Sequence, residues 1–138
     1  MASRTKAREL ALQMLFQFDV GKHSVDHVIS TFLKPRHPDA ETEIFARGLF
    51  EGAANSVDSL DQLIKECATN WRIDRMAAVD RNILRLAVYE LTHYPENPAA
   101  VVINESIELA RRFSQDGSVE FVNGVLDAVR KNLPAPQP

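Results

Sequence analysis

The chain has 138 residues, enough for one domain around a single core, and its 45% hydrophobic and 25% charged residues are those of an ordinary globular protein. A formal charge of -3 excludes broad charge-driven affinity for nucleic acid, so any such binding has to come from a local basic segment. The lone Cys67 excludes an intrachain disulfide and fits a reducing compartment, and the longest unbroken apolar run, residues 99–103, is far short of the roughly 20 residues of a membrane span.

Residues 1–8 contain Arg4, Lys6 and Arg8 and no acid, an isolated basic segment on an acidic protein. The first helix is predicted over residues 4–20, with Ser3 as its N-cap. Ala7, Leu10, Ala11, Met14, Leu15 and Phe18 recur at i, i+3, i+4 and form its core stripe. Gln13, Gln17 and Asp19 interrupt the apolar positions here, so no signal-peptide core is visible and a cytoplasmic location is expected. A short second helix carries Val25, Val28, Ile29, Phe32 and Leu33.

KPRHPD (34–39) reads as a loop broken by proline, and Asp39 can cap a third helix that begins near Ala40. That helix places Ile44, Phe45, Leu49 and Ala53 in the core. Gly48 and Gly52 stand four apart on one face, which suits close approach of a neighbouring helix. Ser59 and Gln62 have the spacing of a capping box, opening a fourth helix with Leu60, Leu63, Ile64, Cys67 and Trp71 on one stripe. Cys67 is thereby expected to be a core thiol.

Asp74 is the expected cap of a fifth helix that ends at Tyr94, before Pro95. PENP is a turn, with Asn97 as N-cap and Pro98 at the first position of a sixth helix that ends near Phe113. SQDGS (114–118) is a loop. The last helix packs Val119, Val122, Leu126, Val129 and Leu133, and Arg130 and Lys131 suit the negative end of its dipole. The outcome is an all-α fold, a compact single-domain bundle of about seven helices over residues 1–133, followed by a disordered Pro-rich tail at 134–138.

Several residues break this pattern. At 100° per residue, Phe16 lies roughly 160–180° from the centre of the first core stripe and Leu12 about 120° away. The pair is either a contact patch for a partner or a second core face under another helix. Asp80 falls inside the apolar stripe Met76, Ile83, Ala87 and Leu91. It is either buried with internal partners or placed at an interface that supplies a cation. Arg81 and Arg85 face away from that stripe, as solvated charge or as a second basic patch. In FVNGV (121–125), Gly124 is costly within a helix unless something approaches its backbone. Phe121 is either core rim or a surface on which an unpaired base stacks.

Catalytic chemistry is missing. There is no phosphate-cradling glycine loop, nucleophile elbow or Cys–Cys metal spacing. His23 and His27 are four apart but have only Asp26 beside them, so neither a metal nor any other cofactor is expected. Asp80 and Glu90, ten residues apart on one helix, would be separated by about 15 Å, too far for a paired-carboxylate site. The chain does not read as an enzyme.

Three stretches in order, RTKARELALQMLFQ (4–17), VDRNILRLAVYEL (79–91), and VVINESIELARRF (101–113) followed by FVNGVLD (121–127), resemble the NusB family of transcription antitermination factors over nearly the whole chain. The resemblance implies an all-helical fold and binding of boxA RNA together with NusE, a small-subunit ribosomal protein. It also implies a place in an RNA polymerase antitermination complex during ribosomal RNA synthesis. Arg4, Lys6 and Arg8 then match the family's RNA-contacting N-terminus. Phe113, Asp116, Phe121 and Asn123 match its RNA surface around the SQDGS loop, where Gly117 replaces an acidic residue of some relatives. The NusE surface maps onto Leu12 and Phe16, the latter often tyrosine in relatives, and onto Asp80. The alternative is a helical interaction module without its own RNA role, for instance a homodimer of the free protein that hides Leu12 and Phe16.

Overall fold

The computed structural model describes residues 2–68 and 73–133, apart from the side chains of Ala2, Ser3 and Asp74. Among the described residues every regular element is helical, and the chain divides into two compact units, 1–56 and 57–138. Trp71 and the Pro-rich tail, 134–138, lie outside the described residues.

The first unit begins with α1, Ala2–Gly21. Next come the single turn α2, Val25–Val28, a π-helical turn at Ile29–Leu33 and a 3-10 turn at Lys34–Arg36. It closes with α3, Ala40–Ala54. Ser24 caps α2 by accepting from the His27 N–H at 3.1 Å. Asp39 caps α3 as the sequence implies, accepting from the N–H of Thr42 at 2.9 Å and from its hydroxyl at 3.0 Å. These bonds to the ionised form hold the Asp39 carboxyl below its ordinary value.

α1 packs along α3, where Phe18 meets Phe50 edge to face at 6.2 Å. The buried positions of α1 are Ala7, Arg8, Leu10, Ala11, Leu12, Met14 and Leu15, which span roughly 200° of its circumference. That is about twice the arc of a helix with one covered face. Leu12, expected outside the stripe, therefore lies inside the arc and is only 3% exposed. Phe16, just beyond its edge, is half-buried. On α3 the expected core residue Ile44 is 72% exposed, and Phe45, Ala46, Leu49, Phe50 and Ala53 form the buried face instead.

The second unit contains α4, Val57–Cys67, a 3-10 turn at Ile73–Arg75, α5, Ala78–His93, α6, Ala99–Phe113, and α7, Ser118–Asn132. α5 is its axis, packed by α4, α6 and α7. A helix covered on three sides buries polar positions too, and Asp80, Asn82, Arg85 and Glu90 are all buried. Arg85, expected to face solvent or a basic patch, instead donates from Nε and Nη2 to both carboxylate oxygens of Asp61 on α4.

Several expected caps shift. α4 starts at Val57, so Ser59 lies within it. Ala77, not Asp74, occupies the cap position of α5. Asn97 leaves the α6 cap position to Pro98 and donates its amide to the buried Glu90 carboxylate at 2.9 Å. Cys67 is half-buried rather than core, and its sulfur accepts from the Asn132 side chain at 3.3 Å. No helix among the described residues is long and apolar enough to cross a membrane.

Candidate nucleic-acid interface

On the first unit, the basic residues of α1 divide by what lies beneath them. The Arg4 guanidinium stands 4.0 Å from the centroid of the Phe45 ring, and that of Arg8 stands 5.3 Å from the same ring. Cation–π attraction to the negative face of the ring holds both on α3. Arg4 remains exposed, whereas Arg8 is 6% exposed. Arg8 is thus a packed side chain, because its stem falls within the wide buried arc of α1. Lys6 is exposed, 3.8 Å from Glu9. Phe45 was missed as the platform because the sequence shows it only as an apolar core position.

On the second unit, α6 ends at Phe113, half-buried with the Arg112 guanidinium 5.1 Å from its ring centroid. Gln115, Asp116 and Gly117 are exposed. Gly117 takes φ 92°, a left-handed conformation that L side chains rarely adopt, and this lets four residues turn the chain from α6 into α7. Phe121 is half-buried one turn into α7, and Asn123 and Gly124 are exposed beyond it. Among the described residues nothing lies within 4 Å of where a Cβ on Gly124 would stand, so none of them requires that glycine.

The loop borders an open pocket of about 270 Å³, lined by Arg75, Met76, Ala77, Asp80, Gln115–Ser118 and Phe121. The structure therefore brings Asp116 and Phe121, expected on the RNA surface, together with Asp80, expected on the NusE surface. Asp80 is 8% exposed, and its two carboxylate oxygens accept from the hydroxyls of Ser114 and Ser118, the latter at 2.9 Å. The two hydroxyl oxygens also stand 2.9 Å apart. Each has one proton to give, and the charged carboxylate is the stronger acceptor, so both protons point to Asp80.

The buried carboxylate thus finds two hydroxyl partners inside its own unit. Of the residues expected on the NusE surface, Leu12 is packed in the core and the Asp80 carboxylate is engaged by two serines. Phe16 retains exposed surface, and it belongs to a different unit from Asp80. Arg75 was not singled out in the sequence, and Ser114, Gln115 and Ser118 were visible there only as members of the SQDGS loop. The one available signal was the pair of serines four apart across the loop.

His23 and His27 stack at 4.6 Å, and no group of three metal-ligating side chains exists among the described residues.

Residues 5–131 match the model of the NusB family. The Transcription antitermination protein NusB of Koribacter versatilis (strain Ellin345) is 55% identical over 135 residues, covering 96% of this chain and 92% of that protein. Its counterpart in Solibacter usitatus (strain Ellin6076) is 48% identical over 138 residues, covering 99% and 94%. Among solved structures, NusB of T. maritima matches with a TM-score of 0.87 at 32% identity, over 94% of this chain and 91% of that one. A chain in the crystal structure of antitermination factors NusB and NusE in complex with dsRNA gives a TM-score of 0.87 at 25% identity, over 96% and 99%. Sequence and fold agree along almost the full length, and the chain belongs to the NusB family of transcription antitermination proteins.

Proposed function

We propose that this protein binds boxA-type single-stranded RNA together with NusE, and through that complex joins RNA polymerase to support transcription of ribosomal RNA. The family is one of antitermination factors, not of enzymes. The observation that carries the RNA reading is the joint presentation of Asp116, Gly117 and Phe121 around one open pocket. An aromatic face next to exposed polar groups and a side-chain-free stretch of backbone suits a base that has left its stack. The relative's complex with NusE and dsRNA supports NusE and RNA as the classes of partner.

Each unit contributes its own patch. On the first, Arg4 and Lys6 supply phosphate contacts, a salt-dependent and sequence-independent share of the affinity. On the second, Phe113, Asp116, Phe121 and Asn123 meet bases and sugars. Phe16 is the proposed anchor for NusE, since a half-buried aromatic fits the centre of a protein interface.

The test is a titration of labelled boxA RNA, with NusE present and absent. Tighter binding with NusE, lost when the boxA sequence is scrambled, is the expected result. Equal binding of the scrambled RNA would remove the boxA assignment. Light scattering of the free protein, followed by addition of NusE, addresses the homodimer reading: a dimer that NusE cannot open would favour it.

A further inference from the structure

We propose that Asp80 is the positioning residue of the RNA-facing loop between α6 and α7. The inference rests on the RNA reading above and deepens it.

The loop is short, and its two ends are tied to one group. Ser114 follows the last residue of α6, where its N–H bonds to the carbonyl of Ala110 at 2.9 Å. Ser118 opens α7, where its N–H reaches back to the carbonyl of Gln115 at 3.1 Å. Both hydroxyls converge on the Asp80 carboxylate, in the first turn of a third helix. Residues 115–117, all exposed, are thereby suspended between two points fixed to α5.

Without the carboxylate the segment would keep its local turn bonds and the contact between the two serine hydroxyls, but lose its anchor on α5, and the permissive backbone of Gly117 would let it sample more conformations. RNA binding would then have to order it, which lowers affinity without removing any direct contact. Asp80 is buried, so it acts through the serines and not as an RNA ligand.

The experiment compares wild type, Asp80→Ala, Asp80→Asn, Ser114→Ala with Ser118→Ala, and the combination of that pair with Asp80→Ala. Three quantities are read: RNA affinity of the NusE complex, NusE affinity of the free chain, and amide hydrogen exchange of residues 115–117. Asp80→Ala is expected to weaken RNA binding about tenfold and to speed exchange in the loop. The serine pair should do the same, and the combination should add little, because all three side chains serve one linkage.

Asp80→Asn should restore most of the affinity. Its amide oxygen accepts from one hydroxyl and its N–H donates to the other. This rescue separates positioning from loss of folding, as well as from loss of charge.

The proposal is overturned if Asp80→Ala speeds loop exchange but leaves RNA affinity unchanged, or if it weakens NusE binding alone. It is also overturned if the serine pair and Asp80→Ala are fully additive. If wild type with NusE fails to bind the RNA at all, the RNA reading itself falls. That outcome is distinct from normal wild-type binding with an inert Asp80→Ala.

Discussion

Arg85 of α5 and Asp61 of α4 meet as a two-pronged pair, Nε to Oδ1 at 2.7 Å and Nη2 to Oδ2 at 2.8 Å. The arginine end is almost closed to solvent, with a third bond from Nη1 to Asn82, while the aspartate end is partly wet. The two halves are therefore unequal. Asp61→Ala removes the carboxylate from a buried guanidinium and is expected to cost about 2–3 kcal/mol. Arg85→Met leaves a carboxylate that water can reach, and should cost less. Urea unfolding of both variants checks the order. RNA affinity of Arg85→Met should equal that of wild type, because this side chain is a strut between helices and not part of a basic patch.

The basic segment of α1 should separate by function in the same way. Lys6→Ala is expected to weaken RNA binding and to flatten the dependence of log K on log salt by about 0.7–0.9. Arg8→Ala is expected to lower the Tm and leave that slope unchanged, since its guanidinium is packed over Phe45. Salt titrations alongside thermal melts distinguish the two effects.

Two glycines should respond to alanine with opposite signs. Gly124 lies in a helix with open space where a Cβ would go, so Gly124→Ala should raise stability by about 0.8–1 kcal/mol. Gly117 also has space, but at φ 92° an added side chain is strained against its own backbone. Gly117→Ala should cost about 1–2 kcal/mol. Chemical denaturation of the pair is a direct comparison of backbone conformation against packing.

Asp39 provides an acid-sensitive element. Its carboxyl is held below the ordinary 3.8 by the Thr42 N–H, then by the Thr42 hydroxyl. A group with a depressed folded value binds its proton more weakly when folded than when unfolded. Its contribution is fully present above the unfolded value and is lost as pH falls through the folded one. Asp39→Asn keeps a capping oxygen but cannot titrate. The Tm of the variant should therefore decline less steeply than that of wild type below about pH 4. Parallel curves would show that the cap makes no pH-linked contribution.

Helix number and order were legible in the sequence, because apolar residues at i, i+3 and i+4 recur between proline and glycine breaks. Assigning one stripe to each helix is where that reading stops. Leu12 was left between a contact patch and a second core face, because α1 is covered over a far wider arc than a single stripe. Arg85 was misplaced and Asp80 left undecided for the same reason on α5, where burial on several sides brings polar residues into the interior.

Division into two compact units left no mark in composition or spacing. In the candidate site, Asp116 and Phe121 were visible as polar and aromatic residues out of pattern. The serines that engage Asp80 were not, since they lie 34 and 38 positions away and look like ordinary loop residues.

The bond from Asn97 to Glu90 has a bearing on where this molecule can change in length. Glu90 is 2% exposed, and the turn after α5 has to deliver Asn97 within 2.9 Å of it. An added or deleted residue between Tyr94 and Pro98 would draw the amide away from an acid that water cannot reach. The connection between α1 and α2 is held by exposed contacts, the Ser24 cap and the His23–His27 stack, and Gly21 through Ser24 stand in solvent. Length variation and inserted peptides should accumulate at that joint, while the α5–α6 turn keeps its span.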